Sequence, residues 1–391
     1  MRLLLLLPFL LLLACTGSRD AASQRQARQI LRTTPVIDTH IDFPWSMVER
    51  KEWYQPGYTA LALKHPGGDF DYERAKQGGL YGAFMSIYIP AAYQKQKGRS
   101  KEVADSLIDM VHAIAKTFPQ NFALALRAED VERNFTKGIV SLPMGMENGA
   151  PMEAISDVAY FHQRGIRYVT LVHSRDNQIC DSSYDTLHTH GGLSAYGRQV
   201  VQEMNRVGIM VDVSHLSDES IWDVVEVARK PLIATHSACR HFTPGFERNL
   251  SDTLIRAIAR TGGVVQVPFS HYFLSTQARA EFKAAEEIMK AKKLDENSPE
   301  ARKFMRKQLA KGSISVKTVA DHIDRLKKLV GVDYIGLGGD FDGVGLALPP
   351  DLADVSMYPN LIAELLRRGY TEAEIKKICY QNTIRVWKAN E

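Results

Sequence analysis

Residues 209–236 read IMVDVSHLSDESIWDVVEVARKPLIATH. Two apolar runs, Ile209–His215 and Leu232–His236, each end in a histidine. Between them, Glu219–Ala228 repeats apolar residues at i, i+3 and i+4, and Ser217/Asp218 stand where a helix N-cap is needed. The runs are continuously apolar, as in strands buried on both faces of a parallel sheet. The same strand–helix–strand unit recurs along the chain. Further runs are Val36–His40, Gly82–Ile89, Val140–Glu147, Tyr168–His173, Val264–Val267 and Ile335–Asp340, and helix-like stretches such as Arg198–Arg206 and Asp252–Arg260 separate them. Eight strands alternating with helices predict a closed (β/α)8 TIM barrel more than an open doubly wound sheet. A ninth run, Phe122–Leu126, is one too many and is placed outside the barrel. Residues 275–320 are charged and helical, and read as a solvated helical insertion before the last barrel strand, near the pocket mouth. Thr371–Trp387 reads as a closing helix pair.

Composition sets the outer bounds. The chain has 391 residues, 45% apolar and 24% charged, which excludes a disordered, collagen-like or polytopic membrane protein. A net charge of +4 without a basic block gives no electrostatic case for nucleic acid. Residues 1–14 place one Arg before an apolar run too short to span a bilayer, as in a signal peptide. Leu12-Leu13-Ala14-Cys15 resembles a bacterial lipobox, with cleavage before Cys15 and lipid on it. That predicts a polar tether over residues 15–30, a single domain over residues 31–391, and a lipid-anchored protein of the bacterial cell envelope, at the outer membrane or periplasmic face. Cys180, Cys239 and Cys379 are widely spaced, without a Cys-x-x-Cys. They read as buried thiols, with one disulfide plus a free thiol left open in an oxidising compartment.

The endings of the strands carry the chemistry. In order they are His40 and Asp42, Glu147, His173, His215, His236 and Asp340. In a (β/α)8 barrel the carboxyl ends of the strands converge at one mouth, so residues spread over most of the chain meet there. His40-Ile41-Asp42 is a His-x-Asp, and positions i and i+2 of a strand face the same side. Three imidazoles (His40, His215, His236) and two carboxylates (Asp42, Glu147), with no thiolate, suit Zn(II) or a similar borderline metal. Five ligands exceed one catalytic zinc and fit a binuclear site with Glu147 as bridge. Asp340, in Gly338-Gly339-Asp340-Phe341-Asp342-Gly343, is the natural proton carrier, with Asp342 its turn-forming alternative. His173 can donate to a developing oxyanion. His188, His190, His241 and His271 fall in mouth loops without an assigned role, and His65, His112, His162 and His322 are expected on surfaces.

Taken together, VIDTHIDFPW (36–45), MGMENG (144–149), YVTLVHSRDN (168–177), VDVSH (211–215), ATHSA (234–238), ERN (247–249), GLGGDFDG (336–343) and DVSMYPNLIAELLRRGYTEAEI (354–375) resemble the membrane dipeptidase (renal dipeptidase) family of zinc enzymes. The resemblance runs from about Arg32 to Trp387. It implies two zinc ions per chain, His40 and Asp42 on one, His215 and His236 on the other, Glu147 bridging. It further implies His173 at the scissile carbonyl, Arg248 on the substrate carboxylate, and Asp340 moving protons. The expected reaction is hydrolysis of free dipeptides by a metal-bridging hydroxide, with a D-residue at the C-terminal position within scope. A homodimer is compatible with it. Two stretches depart from the family pattern: Glu147-Asn148-Gly149 for the usual Glu-Gly-Gly, and Asp38-Thr39-His40-Ile41-Asp42 for Asp-Gly-His-Asn-Asp, which bears on pocket shape. Two rivals are a different binuclear amidohydrolase-type hydrolase, whose bridge is often a carboxylated Lys, and a non-catalytic surface lipoprotein that binds a ligand.

Overall fold

The computed structural model describes residues 20–296 and 298–391. The stretch read as signal peptide and the lipid site at Cys15 lie outside the described residues. Among the described residues, eight parallel strands close on themselves: β1 (Val36–Ile41), β2 (Leu80–Tyr88), β3 (Met144–Glu147), β4 (Ile166–Thr170), β5 (Met210–Asp212), β6 (Ile233–Ala234), β7 (Val264–Val267) and β8 (Ile335–Leu337). Each pairs with its neighbours in chain order, and β1 closes the ring by pairing with both β2 and β8, Asp38 opposite Leu337. The (β/α)8 barrel expected from the apolar runs is therefore present. The run Val140–Glu147 is split at Pro143, which has no N–H for the ladder. Phe122–Leu124 pairs with the short arm Val140–Leu142 and stays outside the ring, as expected.

The helices follow from caps and stripes. Ser217 Oγ accepts from Ser220 N and starts the helix Asp218–Val227, whose Ile221 and Val224 turn inward. Ala195–Val207 starts at Ser194 and ends at Gly208, whose φ of 95° is the left-handed conformation that glycine adopts freely. Inside the ring, Ile37, Phe84, Tyr168, Met210, Ile233 and Val264 form one buried cluster with Trp387. Trp387 belongs to the C-terminal helix, and its ring lies 5.1 Å from Phe84. Asn382 on that helix donates to Ile335 O at the start of β8. The amino end of the barrel is thus plugged, and the opposite mouth holds the polar cluster.

Three expectations are corrected. The closing helix pair is one helical run, Glu372–Lys376 and Asn382–Asn390 joined by a π turn at Lys377–Gln381. Within the stretch expected as a polar tether, residues 20–30 are instead helical, and the helix continues to residue 31, with Ala27, Ile30 and Leu31 buried in the core. Three apolar residues on one face suffice to dock that otherwise polar segment. The insertion is shorter than expected. It comprises Thr276–Ala291 and Pro299–Leu309, packed through Phe282, Met289, Met305 and Leu309. Val316–Val330 is a regular barrel helix whose Val319, Ile323 and Leu326 are buried.

Candidate metal centre and active site

The strand endings do converge. His40, the fifth residue of β1, and Asp42, just beyond it, face the same point, with His40 Nε2 3.2 Å from Asp42 Oδ2. Glu147 ends β3. Its Oε2 lies 3.3 Å from His40 Nε2, and its Oε1 lies 3.1 Å from His215 Nε2 and 3.2 Å from His236 Nε2. The two nitrogens of His215 and His236 are 2.9 Å apart. His173 Nε2 stands farther off, 3.8 Å from Glu147 Oε1, its ring edge-on to Tyr88. Three overlapping groups have ligand atoms close enough for one cation: His40/Glu147/His236, Glu147/His173/His215 and His40/Asp42/Asp340. Glu147, not a lysine, stands at the centre.

The outer atoms of these ligands are held by buried partners that the sequence reading did not single out. Tyr168 Oη lies 3.0 Å from His40 Nδ1. Thr235 Oγ1 lies 2.8 Å from His236 Nδ1 and donates to Asp212 Oδ2 at 2.6 Å, while Asp212 Oδ1 accepts from Ser214 N and Thr235 N. Asp38 accepts from His40 N, from Gly339 N and from the Tyr358 hydroxyl, tying β1 to the loop that carries Asp340. Such partners fix ring orientation and tautomer. No local signal marks them, because Asp38 and Tyr168 share their strands with other polar residues and Thr235 lies just beyond its strand.

The backbone is strained around this cluster. Asn148, His215, Asp340 and Asp342 all have φ between 63° and 81° except Asp340 at 62°. Non-glycine residues in this region are uncommon and gather at functional sites. Gly343 serves the same corner, since a Cβ there would fall 2.1 Å from Asp42 Oδ2 and 2.5 Å from Asp340 Oδ1.

Electrostatics divide the cluster. Burial, reinforced by Arg248 and neighbouring imidazoles, holds His215 and His236 well below the usual histidine range, so their lone pairs stay free. Burial opposes charge on His40 too, but the oxygens of Tyr168, Glu147 and Asp42 outweigh it and favour a positive charge there. Burial likewise works against ionised Glu147, yet His40 and His173 hold it well below the usual carboxylate range. Asp340 is pushed up to about 8, by burial first and then by Asp42 and Glu147.

Arg248 lies against this cluster, only 2% exposed. Its Nη1 donates to Ser237 Oγ and its Nη2 to His236 O, each at 2.9 Å, and Nη2 is 3.0 Å from His215 Nε2. No carboxylate lies within ion-pair distance of it among the described residues. Asp342 instead accepts from Asp69 N and Phe70 N and faces Arg50, so it anchors loops.

A family model described as membrane dipeptidase (Peptidase family M19) matches residues 24–391. The chain belongs to this family. An uncharacterized dipeptidase of Schizosaccharomyces pombe is 31% identical over 384 residues, 94% of this chain and 84% of that protein. The structure of the "probable dipeptidase PvdM" from Pseudomonas aeruginosa is 25% identical with a TM-score of 0.80, covering 95% of this chain and 98% of that one. A metallo peptidase from Rhodobacter sphaeroides, liganded with a phosphinate mimic of the dipeptide L-Ala-D-Ala, is 26% identical with a TM-score of 0.75, covering 92% and 99%.

As a membrane dipeptidase, the chain keeps its two departures off the cavity wall. Asn148 occupies the family's usual glycine position with φ 81°, which asparagine tolerates better than most residues. Its amide donates to Ile89 O and Gln94 Oε1. Thr39 donates to Thr235 O at 2.8 Å, and Ile41 is buried in the core. None of the three lines the cavity of about 840 Å³ above the cluster, whose wall includes Asp42, Trp45, His173, Tyr184 and Asp340. The remaining histidines play other parts. His65 and His322, expected on surfaces, are buried: His65 pairs with Glu52, and His322 accepts from Cys239 N and donates to Leu274 O. His271 is buried against Ala347 O. The three described cysteines are free and buried, which raises their thiols and leaves them unreactive.

Proposed function

We propose that this cluster holds two zinc ions and hydrolyses free dipeptides. The observation that carries the reading is the division of Glu147, one oxygen toward His40 and the other toward His215 and His236. The donor set fits. His40 Nε2 and Asp42 Oδ1 are buried without a hydrogen-bond partner, and the donors are imidazoles and carboxylates without thiolate. His40 and Asp42 would hold one ion, His215 and His236 the other, and Glu147 would bridge. Bound there, the ions supply Lewis acidity and bring the pKa of water down to roughly 7.

The chain's own residues do the rest. Asp340 faces the cluster from the last strand's end and carries the proton from the attacking water to the leaving amine. His173 stands at the cavity wall and donates to the carbonyl oxygen as charge develops. Arg248, a buried guanidinium with no carboxylate beside it, takes the substrate's C-terminal carboxylate in a fork that lysine cannot copy. The relative liganded with an L-Ala-D-Ala mimic supports extending the substrate class to a D-residue at the second position. The lipid anchor at Cys15 and the envelope location belong to the same proposal and rest on Leu12–Cys15.

The test is substrate length. Zinc-loaded protein should cleave free dipeptides and leave C-amidated and N-acetylated dipeptides and tripeptides intact, because a misplaced bond loses an orientation advantage of ~7 kcal/mol or more. Equal turnover of a dipeptide and its C-terminal amide would refute the clamp. Failure to cleave any dipeptide would refute the activity.

A further inference from the structure

The cavity wall carries charges of both signs. Asp42, Glu49 and Asp340 lie on its wall, and so do two guanidinium groups, Arg175 and Arg279. Arg175 faces Asp185 at 3.6 Å. Arg279 has no such partner: its guanidinium stacks 3.9 Å above the ring of Phe246, and no carboxylate lies within ion-pair distance of it among the described residues. It is half-buried. A stacked cation of this kind is fixed in place yet keeps its charge unneutralised.

Its position gives that charge a direction. Phe246 lies two residues before Arg248 on one loop, and Tyr184 bridges the two regions, 6.2 Å from Phe246 and 6.0 Å from His215. The Arg248 guanidinium lies 5.0 Å from the ring of Phe273, which shares the cavity wall with Phe246 and Arg279, so under the dipeptidase reading Arg279 stands at the end that takes the substrate's C-terminal residue. It is carried by Thr276–Ala291, the insertion helix that the ring of strands does not need. The hairpin expected to be merely solvated thus contributes a side chain to the pocket.

We propose that Arg279 selects dipeptides whose C-terminal residue has an acidic side chain. The inference rests on the dipeptidase reading, with Arg248 holding the main-chain carboxylate and Arg279 the side-chain one.

The experiment measures kcat/KM of the zinc-loaded protein and its Arg279 variants on Ala-Glu, Ala-Gln and Ala-Lys. The first two substrates differ only in charge. Wild type should favour Ala-Glu over Ala-Gln by about tenfold, the scale of one charge-assisted hydrogen bond. In Arg279→Gln that ratio should fall to near one. Arg279→Lys should keep part of it, and Arg279→Glu should turn the preference toward Ala-Lys. Titration calorimetry with phosphinate analogues of Ala-Glu and Ala-Gln should show the same ratio in Kd. A wild-type ratio near one, a ratio that survives in Arg279→Gln, or an equal loss on all three substrates would overturn the proposal. In each of those cases the dipeptidase reading stands if wild type cleaves Ala-Gln. Absence of turnover on every dipeptide would remove both.

Discussion

Tyr168→Phe should weaken metal binding without disturbing the barrel. The hydroxyl lies 3.0 Å from His40 Nδ1, and both side chains are fully buried. Burial pushes the phenol far up, so it stays protonated. The variant keeps the ring that packs 5.5 Å from Phe84 and fits against Gly145, so the volume change is one oxygen. What is lost is the group that fixes His40 with Nε2 toward Asp42 and Glu147. Removing such an outer partner costs 10–100-fold in metal affinity, about 1.4–2.7 kcal/mol. The stranded imidazole nitrogen adds a folding cost of roughly 1–3 kcal/mol. Competition against a chromophoric chelator measures the first quantity, and thermal unfolding the second. A second perturbation approaches from the other side: in Gly145→Ala the new Cβ would fall 1.9 Å from Tyr168 Cζ and must displace the ring. Both variants should lose zinc affinity. Affinity within twofold of wild type in Tyr168→Phe, with the expected loss of stability, would refute the reasoning, because His40 would then not need that hydroxyl to face a metal.

Glu147→Gln should lower zinc content and activity together, since both oxygens face imidazoles; full two-zinc occupancy with near-normal rate would end the bridging role. Asp340→Asn should keep the metals and lower kcat by roughly 10²–10⁴; a larger loss in Asp342→Asn would point to the wrong aspartate. Burial lowers His322 to about 4 from an ordinary 6.5, so the unfolded chain takes the proton first. Its contribution to stability is then complete above pH 6.5 and is lost as pH falls toward 4, by about 3 kcal/mol, and thermal unfolding of His322→Gln should show a flatter pH slope over that window. Cys15→Ala should leave the membrane fraction with specific activity unchanged; a variant that stays membrane-bound would exclude lipid at Cys15 as the anchor.

The barrel was legible because its strands are buried on both faces and write themselves as continuous apolar runs. The mouth was legible because six of the eight runs end in an ionisable residue, and parallel order carries all those ends to one side. Nothing comparable marks Tyr168 or Asp212. Tyr168 shares its strand with Arg167 and Thr170, Asp212 ends its strand, and their partners His40, Thr170 and Thr235 sit elsewhere on the ring at a register only its closure defines. His322 was misread for a similar reason: a lone histidine in a charged helix reads as exposed, and its two backbone partners, Cys239 and Leu274, come from segments distant in sequence. The docking of residues 20–31 was hidden by composition, because Ala27, Ile30 and Leu31 are outnumbered by polar neighbours. Arg279 could not be read as a pocket residue until the insertion had a place relative to Phe246.

Pairing of β1 with β8 has a consequence for the order of assembly. His40 is made early and Asp340 about three hundred residues later, yet they share one group of ligand atoms. Fixing them together means closing a loop that spans most of the chain, which is slow compared with making any single strand–helix–strand unit. The barrel's floor comes later still, because Trp387 lies in a helix that follows Asp340 in the chain. A growing chain can form its local units in sequence while neither the mouth nor the floor exists. The cluster at the mouth thus forms only after translation has passed Asp340.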